Sequence, residues 1–150
     1  MMFKTHLVIA FLAGLLAIQF FHPGNQILFI ILVLFGGLLP DIDHPKSKLG
    51  RYFRPVMFLF EHRGFFHSFL VLPLITAVLF FFFHMPQFAL PIIIGYISHL
   101  LADLITLEGI MPFHPISRMR LRGFISTGGI LEVLIFVALL IYSGYVLLHM

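Results

Sequence analysis

Five long runs dominated by apolar side chains constrain this chain more than any other feature. They cover Thr5–Phe21, Gln26–Leu39, Phe65–Met85, Phe88–Leu107 and Gly128–Leu148. A helix that crosses bilayer hydrocarbon needs about 20 such residues. Inside that hydrocarbon the backbone must satisfy its own polar groups, so only helices and closed barrels span. The runs are continuous rather than alternating, which argues against a barrel. The expectation is an all-α, polytopic membrane helical bundle of about five transmembrane helices with short interfacial segments, forming one integral-membrane domain over residues 1–150. Only 10% of residues are charged, against about a quarter in a soluble domain, and mean hydropathy is +1.10. The second run is short; Pro23, Gly24 and Asn25 before it suit a tight turn, with Asn25 as helix cap. Pro73 should kink the third run. The first run begins like a signal peptide but lacks a small-x-small cleavage site before His22, so it reads as a retained signal-anchor.

Charge sets the orientation. With five spans, the N-terminus and the loops 40–64 and 108–127 share one side. Lys4, Lys46, Lys48, Arg51, Arg54, Arg63, Arg118, Arg120 and Arg122 all fall there, which accounts for all nine basic residues. The positive-inside rule then puts the N-terminus and both loops in the cytoplasm and the C-terminus outside. The six acids, Asp41, Asp43, Glu61, Asp103, Glu108 and Glu132, occupy the same half. That rule makes no demand on acids, so something other than topology has gathered them.

Four stretches meet at this depth: Asp41-Ile-Asp43-His44, the segment Glu61–Ser68, the segment Gly95–Asp103, and Glu132 at the start of the fifth run. His99 and Asp103 are four apart and share a helical face. An ionisable pair inside a span is costly and marks function by default. Imidazole and carboxylate together suit zinc, and also manganese or iron. Asp41, Asp43, His62, His67, His99 and Asp103 make six candidate ligands, enough for one divalent ion with separate acid–base groups or for two ions. The chain has no cysteine, so thiolate sites are excluded. Each stretch also has a plainer reading: interfacial acids after Pro40, helix capping at His67 and Ser68, a polar clamp at His99 and Asp103, and a dipole contact at Glu132. Their coincidence on one side favours a site. His6, His22, His84 and His149 lie near span ends and read as interfacial, and His114 reads as a loop residue.

These residues carry a resemblance. LLPDIDHPKSKLG, HRGFFHS and GYISHLLADLIT, followed by a basic loop and GGILE, resemble the bacterial membrane-bound metal-dependent hydrolases, the LexA-regulated, inner-membrane-associated YdjM-like group. The likeness runs from about Gly36 to Glu132 with the motifs in order. It places Asp41, Asp43, His62, His67, His99 and Asp103 on the family's motif positions. Phe66 departs from the small hydroxyl residue common there.

The segment Arg118-Met-Arg-Leu-Arg122 alternates charge and grease, as an extended strip with one basic and one apolar face would. At the interface it would offer arginines to phosphates, and simple attraction to anionic lipid would account for it equally. The segment Arg54–His62 reads as a short interfacial helix opened by Pro55. Neither resembles a nucleic-acid module, so the expected partners are membrane lipids. The leading expectation is an inner-membrane hydrolase with a cytoplasm-facing metal site acting on a lipid-like substrate. Asp43 or Glu132 would serve as base, His44 or His114 as acid, and Arg63 as an anchor for an anionic group. Arg118, Arg120 and Arg122 would bind substrate. The rival is a metal-binding membrane scaffold or divalent-cation carrier without hydrolytic activity.

Overall fold

The computed structural model describes residues 1–43, 65–82 and 84–150, apart from the side chains of Ile42, Asp43, Phe82 and Pro86. His44, His62, Arg63 and the Arg54–His62 segment lie outside the described residues, as does the Asp43 side chain. Among the described residues the helices are α1 Phe3–Phe21, α2 Gln26–Leu38, α3 Val71–Ala77, α4 Ala89–Leu104 and α5 Ile130–Leu148. Short 3-10 turns lie at Pro40–Asp43, Phe65–His67 and Pro86–Phe88. Isolated backbone bridges, Thr106 with Ile125 and Ile110 with Leu121, brace the loop between α4 and α5.

The helices α1 and α5 are each 19 residues long and apolar enough to cross a membrane; α2, α4 and the stretch 71–81 are apolar but shorter. Local chemistry explains several boundaries. Asn25 caps α2, its Oδ1 accepting from the Leu28 N–H at 2.9 Å. Past the end of α4, the Thr106 hydroxyl donates to the Asp103 carbonyl at 2.7 Å. The third run departs most from expectation. Pro73 sits in the first turn of α3, where its missing N–H has no intrahelical partner to lose. It therefore starts a helix rather than kinking one, and the irregularity falls instead at Val78–Phe82, which winds as a π turn.

The core is a close crossing of α2 and α4, with α1 packed on both. Val33 of α2 is fully buried against Ala10 and Ile18 of α1. At the crossing a methyl group on Gly36 would strike the Ile92 carbonyl, and one on Gly95 would strike the Val33 carbonyl. Small residues here let two backbones touch, the device by which helices associate where lipid removes the hydrophobic drive. By contrast α5 packs along α1 yet leaves Ile130, Leu134, Ile141 and Leu148 well exposed. An apolar face of this length is what acyl chains would cover.

Candidate metal centre

One end of the bundle collects the polar side chains. His6 lies in the second turn of α1, Asp41 just past α2, His67 just before α3, His99 and Asp103 near the end of α4, and Glu132 in the first turn of α5. His6, His67, His99, Asp103 and Glu132 are all buried, while the Asp41 side chain keeps 30% of its surface exposed.

The α2–α4 crossing orients His99. Because Gly36 and Gly95 bring the backbones together, His99 Nδ1 comes within 2.7 Å of the Gly37 carbonyl oxygen. A carbonyl can only accept, so Nδ1 carries the proton and Nε2 presents its lone pair. That nitrogen is buried with no hydrogen-bond partner, and an orphaned acceptor of this kind is costly unless something binds it. It faces Asp41 Oδ1 at 3.8 Å and Asp103 Oδ2 at 3.6 Å. His67 Nε2 faces the same two oxygens at 3.8 and 3.5 Å. A tetrahedral zinc with bonds of about 2.0–2.2 Å separates its ligands by about 3.3–3.6 Å. These four histidine–carboxylate spacings lie at or slightly above that range.

His67 owes its place to Tyr96. The buried tyrosine hydroxyl donates to the Phe66 carbonyl at 2.5 Å and lies 3.3 Å from the Ser68 carbonyl, gripping the turn on both sides of His67. The turn is also tied to the α4–α5 loop, where the Phe69 N–H donates to the Pro112 carbonyl at 2.9 Å.

Asp103 is shared. Its Oδ2 faces the two histidines above, and its Oδ1 accepts from His6 Nε2 at 3.2 Å and from the Met1 amino group at 2.6 Å. The His6 ring also stacks flat on His99, with centroids 3.8 Å apart and planes 8° from parallel. Among the described residues, two groups of ligand atoms lie close enough for one ion: Asp41, His67 and His99, and His6, His99 and Asp103. The interfacial reading of His6 therefore fails, since the side chain is 3% exposed and inside the cluster. Its place in the second turn of α1 puts it at the depth of the other candidate ligands, and that depth is the one signal in the sequence that points to it.

Glu132 has a different occupation. Its Oε1 accepts from the Met2 N–H and its Oε2 from the Gly128 N–H, both at 2.6 Å. It thus satisfies orphan donors at the starts of α1 and α5 together, where both helix dipoles favour a negative charge. Arg118, Arg120 and Arg122 are exposed on the α4–α5 loop, and His114 is half-buried in it.

Known proteins resemble this chain along most of its length. The family model described as the YdjM inner membrane protein matches residues 1–149. The chain is 31% identical over 147 residues to the uncharacterized protein YvsG of Bacillus subtilis, an alignment covering 95% of this chain and 91% of that protein. It is 38% identical over 119 residues to the inner membrane protein YdjM of Escherichia coli, covering 71% of this chain and 60% of that protein. The YdjM protein of Shigella flexneri gives the same figures. No solved structure matches the chain.

Proposed function

This chain belongs to the YdjM inner membrane protein family, and from that premise we propose that it is a multi-pass inner-membrane hydrolase whose site depends on a divalent metal. The observation that carries the proposal is the orphaned, buried His99 Nε2 aimed between two carboxylates. A structural polar clamp would satisfy that nitrogen, whereas a cation site leaves it a lone pair to give. Asp41, His67, His99 and Asp103 would hold the ion, with His6 supporting Asp103 and stacking on His99. Zinc suits this donor set best, and manganese or iron would also fit.

A divalent ion held there supplies Lewis acidity and lowers the pKa of water toward neutrality. The chain's own groups do the rest. Asp41, on the exposed side of the cluster, marks where substrate enters. Asp43, two residues on, is the candidate base, and His44 or His114 the candidate acid for the leaving group. Glu132, committed to two backbone N–H groups, holds the starts of α1 and α5 together and so steadies the ligands. Arg63, Arg118, Arg120 and Arg122 would meet an anionic head group. The site lies at the ends of two helices long enough to span, so a lipid-like substrate in the adjacent leaflet fits best. The basic residues gathered at this end favour the cytoplasmic leaflet.

The test is turnover of a panel of phosphorylated and acylated lipids by metal-loaded protein. His67→Ala should abolish turnover together with bound metal. Arg120→Ala should keep the metal and weaken substrate binding about 10- to 100-fold, the loss of one charge-assisted contact. Tightly held metal with no turnover of any substrate class would replace the enzyme with a metal-bound scaffold.

A further inference from the structure

The loop between α4 and α5 is built to touch something other than the protein. Its stem is fixed: the Ile110 and Leu121 backbones exchange hydrogen bonds of 3.0 and 2.9 Å, and Ile110, Met111 and Ile125 are buried. Its outer part presents large apolar side chains to the surroundings, with Ile116 81% and Phe124 76% exposed, and Phe113 and Met119 half exposed. Arg118, Arg120 and Arg122 are interleaved with them and are exposed as well. The acid beside them, Glu108, accepts from the Thr127 hydroxyl at 2.6 Å, and Arg120 donates to the Glu108 main-chain carbonyl at 3.4 Å. Guanidinium groups stay protonated, so the strip carries three positive charges. A water-facing loop gains nothing from exposing phenylalanine and isoleucine, and a loop in hydrocarbon would not tolerate three arginines.

The surrounding fold fixes the depth. The loop ends at α5, whose first turns already expose Ile130, Leu131, Val133 and Leu134. With α5 spanning, hydrocarbon would begin within a few residues of Phe124, and the loop would lie at the plane where phosphates meet acyl chains.

We propose that the segment 113–124 is a docking surface for anionic phospholipid, with its apolar side chains set between acyl chains and its three arginines on head-group phosphates. The proposal rests on the membrane reading of α1 and α5 and is independent of the metal. It deepens the functional reading by making an anionic lipid the nearest neighbour of the site.

The chain contains no tryptophan, so Ile116→Trp and Phe124→Trp each introduce a single fluorescent reporter, and Leu134→Trp a third on the exposed face of α5. Each variant is placed in nanodiscs of phosphatidylcholine with a fixed fraction of brominated phosphatidylcholine or brominated phosphatidylglycerol. The two loop reporters should be quenched, and by phosphatidylglycerol at least about fivefold more effectively, fivefold being the effect of a single basic residue near an anionic surface. Adding Arg118→Gln, Arg120→Gln and Arg122→Gln to Ile116→Trp should remove the preference and keep the quenching. Water-like emission that no brominated lipid quenches would overturn the proposal in favour of a protein or solvent partner. So would equal quenching by both lipids, or a preference that survives the triple substitution. If the α5 reporter also escapes quenching, the membrane reading falls with it, whereas loss of metal or turnover leaves this result untouched.

Discussion

His99 is the residue on which the metal reading turns, because its two nitrogens have separate jobs. One is committed to the Gly37 carbonyl and the other is buried without a hydrogen-bond partner. His99→Ala should therefore lose metal, whereas loss of a group that only supports ligands is milder. His6→Ala removes the hydrogen bond to Asp103 Oδ1 and the stacked ring. Changes to such supporting groups typically weaken metal affinity about 10- to 100-fold, and a competition titration with a chromogenic chelator would read the shift. Unchanged affinity in His6→Ala would remove this residue from the site. The motif residues Asp41, His67, His99 and Asp103 were legible from sequence because carboxylates and imidazoles stand out against hydrocarbon. His6 was not, because a histidine near a span end looks like an interfacial residue until its depth is compared with the others. The two backbone contacts of Glu132 were equally hidden, since its partner Met2 is 130 positions away.

At the scale of elements, the crossing of α2 and α4 sets the geometry that the ligands use. Gly36→Ala or Gly95→Ala would press a methyl group into a carbonyl of the facing helix. Overpacking of this kind costs about 1–3 kcal/mol, seen as a lower melting temperature in detergent. It should also weaken metal binding, because the helices move apart at the Gly37–His99 contact. Tyr96→Phe tests the same logic on the other side. It removes the hydroxyl that donates to the Phe66 carbonyl and lies beside the Ser68 carbonyl, at about 0.5–1.5 kcal/mol, and a metal-loaded protein should show altered coordination by X-ray absorption. A variant as stable and as tightly metal-bound as the parent would show that the tyrosine does not position His67. Helices could be placed from the apolar runs, and α1, α2 and α5 begin or end within about two residues of expectation. The third run could not be resolved in this way, because hydropathy is blind to hydrogen-bond winding: Phe65–Met85 divides into a 3-10 turn, a short α3 and a π turn.

For the whole molecule, the site-side residues sit alternately at the start and the end of successive helices, as a chain that crosses back and forth would place them. Lys4 and the three loop arginines are exposed at that same end. The molecule should therefore insert with its site toward the cytoplasm. A reporter fused after Met150 should be active only when periplasmic, and one inserted near Ser117 only when cytoplasmic; the reverse pattern would invert the orientation. On the proposed function, one end of this bundle holds a divalent metal on Asp41, His67, His99 and Asp103. The most direct test is elemental analysis of the purified, chelator-washed protein beside a variant carrying His99→Ala and Asp103→Ala, both shown to be monodisperse. The parent should carry one or two equivalents of a divalent ion, zinc foremost, and the variant none. Equal metal content in the two proteins, or a parent that takes up no divalent ion at all, would contradict it.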